Sequence, residues 1–353
     1  MSMDEKRETW IDCLKVVSAF LIVMQHSLTS AWMSGELFSG GWISVNSVMT
    51  LAKEGVPLFF MCSGYGMLKR ERSIRECLRS AGRLLWLYAI WMCVYGIYAF
   101  AGSFAIDHSV SHAAVAFVKK LLFGHYHVWF VFALIGLYLL TPLLYPIMQD
   151  RKSARYVIIL AFAATMIIPF IQGISGISRF EYTLLSFDIS ALCGDIFYYL
   201  CGFYLGRYLT VPDGQKRGQT AGVLIGITLA LYAAINVLTV IYDRAAGGVY
   251  GIFFDDKRIP GCFFVCLIFV LFKLLAPSGD EKGIWRTLAG TGFAVYMMHP
   301  FFIEIGLSFF KADATDIIKG IVIYMLCLVI GLILYWFSVT RKIFMTAPWS
   351  GRG

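Results

Sequence analysis

The sequence predicts an all-α polytopic membrane protein, and three observations carry that prediction. Hydrophobic residues make up 59% and charged residues 15% of the 353 positions. The mean hydropathy of +0.73 lies outside the range of an ordinary soluble domain. Apolar runs long enough to cross a hydrocarbon layer of ~30 Å at ~1.5 Å per residue recur along the whole chain. They leave no room for a separate soluble domain, so residues 1–353 read as one transmembrane domain. The runs are continuous and not alternating, which excludes a β-barrel.

Ten spans emerge in order, at roughly 10–32, 45–68, 84–102, 128–148, 154–172, 189–209, 220–242, 259–276, 286–308 and 317–339. With the N-terminus in the cytoplasm, the inside segments hold 20 Lys and Arg and the outside loops hold 8, while Lys15 and Lys53 fall within spans. That bias supports both the count of ten and cytoplasmic placement of both termini. It also accounts for the net charge of +8 without a nucleic-acid partner. The first run follows Lys6 and Arg7 but contains polar groups and no small-residue cleavage site, so it reads as a retained span.

Within span one, Asp12, Lys15 and His26 lie on one stripe at ~100° per residue, with His26 about 16 Å beyond Lys15 along the axis. Ionisable groups inside a membrane helix face protein or water and are functional candidates by default. A histidine there can take up a proton or attack an acyl carbon. Lys53 and Glu54 interrupt span two, and Ser63-Gly64-Tyr65 closes it, with small residues that admit close helix or ligand approach.

The basic segment that follows contains Arg75, Arg79 and Arg83 at i, i+4, i+8. This spacing would present a guanidinium face to phosphates, or simply set topology and attract anionic lipid. His125, Tyr126, His127 and Trp129 meet the membrane at the outer mouth of span four, where an aromatic belt or a sugar-binding surface would both fit. Asp188 and Asp195 stand at the outer start of span six, and Tyr296, His299 and Glu304 in the outer half of span nine. His299 at the depth of His26 suggests a shared outer cavity. Pro57, Pro142, Pro146, Pro169 and Pro300 interrupt spans and predict kinks.

The nine cysteines fall mostly in apolar runs and read as core, with no disulfide framework. Cys262 and Cys266 are spaced i, i+4, yet no ligand stands near them in sequence to complete a metal site. No Gly-rich phosphate loop, metal cluster or hydrolase elbow is present. Two functions stay open on the residues alone. One is a membrane catalyst. The other is a transporter of a small polar solute or lipid-linked sugar that uses the same stripe, although no inverted repeat is evident.

In this order the motifs resemble the acyltransferase-3 family of membrane acyltransferases. They are Asp12 and Lys15 ahead of His26, a PLFF-SGY segment (Pro57 to Tyr65), an R-x-x-x-R entry to span three (Arg79, Arg83), HxWF (His127 to Phe130) and YxxH (Tyr296 to His299). Lys15 is a departure, because arginine is usual there and lysine lacks its bidentate fork. The resemblance implies transfer of an acetyl group from acetyl-CoA on the cytoplasmic side to a hydroxyl of a cell-envelope saccharide, in a bacterial-type inner membrane. It implies no permanently bound cofactor or metal. On this reading His26, Lys15 and Asp12 are the catalytic set. Arg75, Arg79, Arg83, Ser63 and Tyr65 bind the donor, and Lys53, His127, Trp129, Asp195 and His299 line the acceptor side.

Overall fold

The computed structural model describes residues 8–167, 195–255, 257–276, 283–307 and 315–344. The described chain is helical throughout. In order, the helices are α1 (Thr9–Ser34), α2 (Gly40–Ala52), α3 (Gly55–Leu68), α4 (Ile74–Asp107), α5 (Val110–Phe123), α6 (Trp129–Gln149), α7 (Arg151–Phe162), α8 (Ile196–Tyr208), α9 (Gly214–Ala246), α10 (Ile259–Leu275), α11 (Ile284–Leu307), α12 (Asp316–Trp336) and α13 (Ser338–Phe344). α7 continues into a π-helical turn, Ala163–Ile167. Among the described residues, six helices are long and apolar enough to cross a membrane: α1, α4, α6, α9, α11 and α12. The chain is therefore an all-α polytopic membrane protein.

The remaining expected spans correspond to α2 with α3, α7 with its π turn, α8, and the 17-residue α10. Pro169, Asp188 and Cys193 lie outside the described residues. Two expectations are corrected. The third span is a 34-residue helix, α4, started by a capping box in which Ser73 and Glu76 satisfy each other's backbone amides. It ends at His108, which adopts a left-handed conformation (φ 53°) and reverses the chain. α5 then folds back along α4; its short amphipathic pattern falls below a span's length and has no place among the ten.

Helix α1 is the centre of the bundle and packs against α2, α3, α10, α11 and α12. Its apolar side chains Leu14, Ile22, Val23 and Leu28 are fully buried. Only close approach lets so many helices share one neighbour. A Cβ on Gly55 would lie 2.8 Å from the Ile22 amide nitrogen and 2.9 Å from the Ser18 carbonyl oxygen, so the start of α3 rests directly on the middle of α1. Lower on α3, a Cβ on Gly64 would lie 1.8 Å from the Tyr199 carbonyl oxygen of α8, and one on Gly202 would lie 2.2 Å from the Met61 carbonyl oxygen. The backbones of α3 and α8 therefore touch through paired glycines, the usual means of helix association where lipid supplies no hydrophobic drive.

At the end of the bundle that the charge bias assigns to the cytoplasm, here the inner end, Glu8 ties α1 to α3. Its carboxylate accepts from the Tyr65 hydroxyl at 2.7 Å and the Lys69 ammonium at 3.1 Å, and from the Trp10 indole at 2.5 Å. At the opposite, outer end, Trp32 donates to Asn46 at 3.0 Å and Asn46 to Asn236 at 3.3 Å, linking α1, α2 and α9.

Gly64→Ala or Gly202→Ala should destabilise the detergent-solubilised protein by about 1–3 kcal/mol or more, as overpacking does. Gly82→Ala, where a Cβ meets nothing within 4 Å, should be tolerated. Thermal unfolding followed by size-exclusion chromatography separates the two outcomes. Partial burial raises the Glu8 carboxyl, but the bonds from Tyr65 and Trp10 and the Lys69 charge outweigh it and hold the group below its ordinary value of 4.5. A depressed folded value contributes stability that is present above pH 4.5 and is lost as pH falls through the lower folded value. Wild-type protein should lose stability on acidification below pH 4.5, and Glu8→Gln should flatten that part of the profile.

Candidate functional site

The polar residues singled out from sequence separate into two groups. At the inner end, Asp12 is buried and Lys15 half-buried on α1. Both bear electrostatically on the Cys62 thiol of α3. Ser63 stands beside Tyr138 of α6, and Tyr65 is engaged with Glu8. Arg75 and Arg79 are exposed on the first turns of α4. Arg83 is half-buried and donates to the Lys342 carbonyl of α13.

The guanidinium turned into the bundle is another one, Arg72. It donates to the Met67 and Gly66 carbonyls at 3.1 and 3.2 Å, the carbonyl-rich and electronegative end of α3. Its charge also reaches Tyr138 and Tyr199. The i, i+4, i+8 spacing passes over it, and its position just past a helix C-terminus is the signal that marks it.

At the outer end, four elements converge. His26 of α1 has its ring centroid 5.1 Å from that of His299 on α11 and 5.3 Å from that of Tyr126. His127, ahead of α6, is 5.6 Å from His299 and 5.3 Å from Tyr296. The Tyr296 hydroxyl donates to the His127 carbonyl, which holds the short loop before α6 against α11. Lys53, at the break between α2 and α3, lies close enough to His26 for its charge to be felt there. His26 is half-buried and Tyr126 is 56% exposed, so the cluster is reachable. His299 is fully buried with its ring beside the Tyr296 and Val295 carbonyls, and Nε2 of His127 has no hydrogen-bond partner among the described residues. Pro300 removes the amide that would otherwise engage the Tyr296 carbonyl.

Behind this cluster stands a pair whose partnership spacing alone does not reveal. His125 and His127 approach through their Nδ1 atoms at 2.9 Å, and Nε2 of His125 meets Glu304 of α11 at 2.7 Å. Tyr95 of α4 lies against His125, with ring centroids 4.8 Å apart, and donates to the Met297 carbonyl at 2.8 Å.

Trp129 and Asp195 lie to one side. Trp129 is 46% exposed and carries the Lys257 ammonium 5.8 Å from its ring centroid. Asp195, at the start of α8, is buried within electrostatic reach of the same lysine. Phe60 and Phe130 connect Trp129 to Tyr296 through ring contacts of 6.5, 4.7 and 5.4 Å.

The structure therefore joins His26, His127, His299 and Lys53 in one polar centre. It keeps Lys15 about three and Asp12 about four helical turns away, as their spacing along α1 requires. Clustered imidazoles supply lone pairs for proton uptake or nucleophilic attack, and a neighbouring ammonium stabilises developing negative charge.

None of the eight described cysteines forms a disulfide with another described residue. Cys201 of α8 brings its sulfur to 3.7 Å from that of Cys266, a neighbour that the local spacing did not reveal. Among the described residues, no group of three or more His, Cys, Asp or Glu is arranged to hold a metal ion.

Comparison with curated proteins and with solved structures yields no match. The family model described as an acyltransferase domain matches residues 8–339, nearly the whole chain, and the protein therefore belongs to the acyltransferase-3 family.

Proposed function

We propose that this membrane acyltransferase moves an acetyl group from acetyl-CoA, taken from the cytoplasm, to a hydroxyl of a cell-envelope saccharide at the outer end of the bundle. The membrane is a bacterial-type inner membrane. The observation that carries the reading is the meeting of His26, His127 and His299 beside Lys53. A buried polar atom without a partner, such as Nε2 of His127, calls for an explanation, and a substrate group that completes the site supplies one. Within the family, residues 125–144 and 194–209 resemble the enzyme that O-acetylates enterobacterial common antigen, which supports an envelope saccharide as acceptor.

In the proposed reaction, His26 takes the proton of the acceptor hydroxyl as the oxygen attacks the thioester carbonyl. The carbon–sulfur bond breaks, and the proton returns to the departing thiolate of CoA. In the two-step variant His26 attacks first and passes the acetyl group on. Lys53 stabilises the negative charge that develops on the carbonyl oxygen, where a water-poor site strengthens its effect. The donor's phosphates engage Arg75, Arg79 and Arg83, with Arg72 beside them. Its pantetheine arm enters past Ser63 and Tyr65, and Lys15 and Asp12 line that inner passage. Trp129, Asp195, His127 and His299 flank the acceptor sugar.

Purified protein incubated with labelled acetyl-CoA and envelope saccharide should transfer label, and His26→Ala should abolish transfer while retaining the wild-type elution profile. Appreciable residual turnover would remove His26 from the reaction. Arg75→Gln combined with Arg79→Gln should raise the KM for acetyl-CoA by about tenfold, as loss of charge-assisted phosphate contacts does, and leave kcat nearly unchanged. Initial rates against donor concentration check this.

A further inference from the structure

Glu304 and His125 are outside the proposed chemistry, yet side-chain bonds tie them to the outer cluster, Glu304 to His125 across 179 positions of the chain. The carboxylate of Glu304 lies 2.7 Å from Nε2 of His125, and Nδ1 of His125 lies 2.9 Å from Nδ1 of His127. A carboxylate only accepts, so Nε2 of His125 carries its proton toward Glu304. A neutral His125 then presents a lone pair at Nδ1. Exactly one proton can lie between two facing Nδ1 atoms, so it belongs to His127. A neutral His127 that is protonated at Nδ1 has its lone pair at Nε2. That is the atom left buried and without a partner among the described residues.

The opposite arrangement needs an imidazolium at His125. It would stand between the Glu304 carboxylate and the His127 ring, and its Nδ1–H would donate to Nδ1 of His127 and move the His127 proton to Nε2. The two arrangements therefore differ in which nitrogen of His127 carries the proton, and the uncharged His125 is the one that leaves Nε2 of His127 an acceptor.

We propose that Glu304 and His125 are positioning residues that fix the tautomer of His127, so that its buried Nε2 is a hydrogen-bond acceptor only. This deepens, and rests on, the acetyl-transfer reading of the same site. His127 then selects a donor group on the incoming molecule. A saccharide supplies one as a hydroxyl next to the reacting one, and the proton of the reacting hydroxyl is left to His26. Glu304 is half-exposed at the side chain, so it is accessible to substitution without opening the core.

The test reads the tautomer first. Full-length protein labelled with 15N-histidine has only six histidines, and His127 is assigned in nanodiscs by the resonances lost in His127→Gln. Wild type should show a protonated Nδ1 and a non-protonated Nε2 at His127. Glu304→Ala should shift His127 toward a mixture of tautomers, and Glu304→Gln, which keeps an oxygen acceptor in place, should preserve the wild-type pattern. A protonated Nε2 in wild type, or an unchanged spectrum in Glu304→Ala, overturns the proposal.

In the acetyl-transfer assay with labelled acetyl-CoA, Glu304→Ala should lower kcat by about 10- to 100-fold, the scale of losing an orienting partner. The KM for acetyl-CoA should be unchanged, and Glu304→Gln should restore most of the rate. The Glu304→Ala/His125→Phe double variant should be no slower than the slower single, because the two act as one unit. Equal losses in the Ala and Gln variants overturn the positioning role. The tautomer measurement needs no turnover, so absence of acetyl transfer in wild type would refute the proposed function while the tautomer result still decides this inference.

Discussion

The structure depends on the contact between the start of α3 and the middle of α1. Gly55 lies against the backbone of Ser18 and Ile22 with no space for a side chain, and this approach sets where the span formed by α2 and α3 breaks. A broken helix inside a bilayer is tolerable only when its backbone groups find partners. Here they do: the Lys53 amide donates to Met49, the Glu54 amide to Leu51, and the Leu58 amide to Glu54, all at about 3 Å. Pro57, which reads as an interruption in sequence, falls in the first turn of α3, where the missing amide has no intrahelical acceptor to lose. The break therefore costs little, and it delivers Lys53 to the flank of α1 near His26.

The two ends of the bundle treat polar groups differently. At the inner end they are paired. Glu8 receives three donors, Arg72 caps α3, and Lys273 donates to the Leu205, Gly206 and Leu209 carbonyls at 3.2, 2.6 and 2.6 Å. Such groups hold helices together. At the outer end the imidazoles crowd together, and Nε2 of His127 lacks a hydrogen-bond partner among the described residues. Leaving polar atoms unsatisfied in a low-dielectric interior is unfavourable, and a catalytic centre that a substrate completes is where such a cost is expected.

Much of this was legible in the chain. Long apolar runs and a polar stripe on α1 follow from side-chain hydropathy and the helical repeat, which depend only on local order. His26, His127 and His299 were each visible as a histidine inside or beside an apolar span, and their depths followed from counting along the helices. The reversal at His108 and the folding back of α5 were not visible, because a left-handed residue without glycine and a short amphipathic segment have weak local signals.

Composition, periodicity and motif order by themselves determined the fold class and the family resemblance, since each reads from residue type and spacing along one chain. Only the tertiary structure decided who meets whom. Glu304 and His125 stand 179 positions apart, far beyond any helical repeat, and Gly64 and Gly202 are likewise far apart in the chain. Such pairings depend on which helices pack together, and that is set by close backbone approach at a few glycines, not by any pattern within a single span.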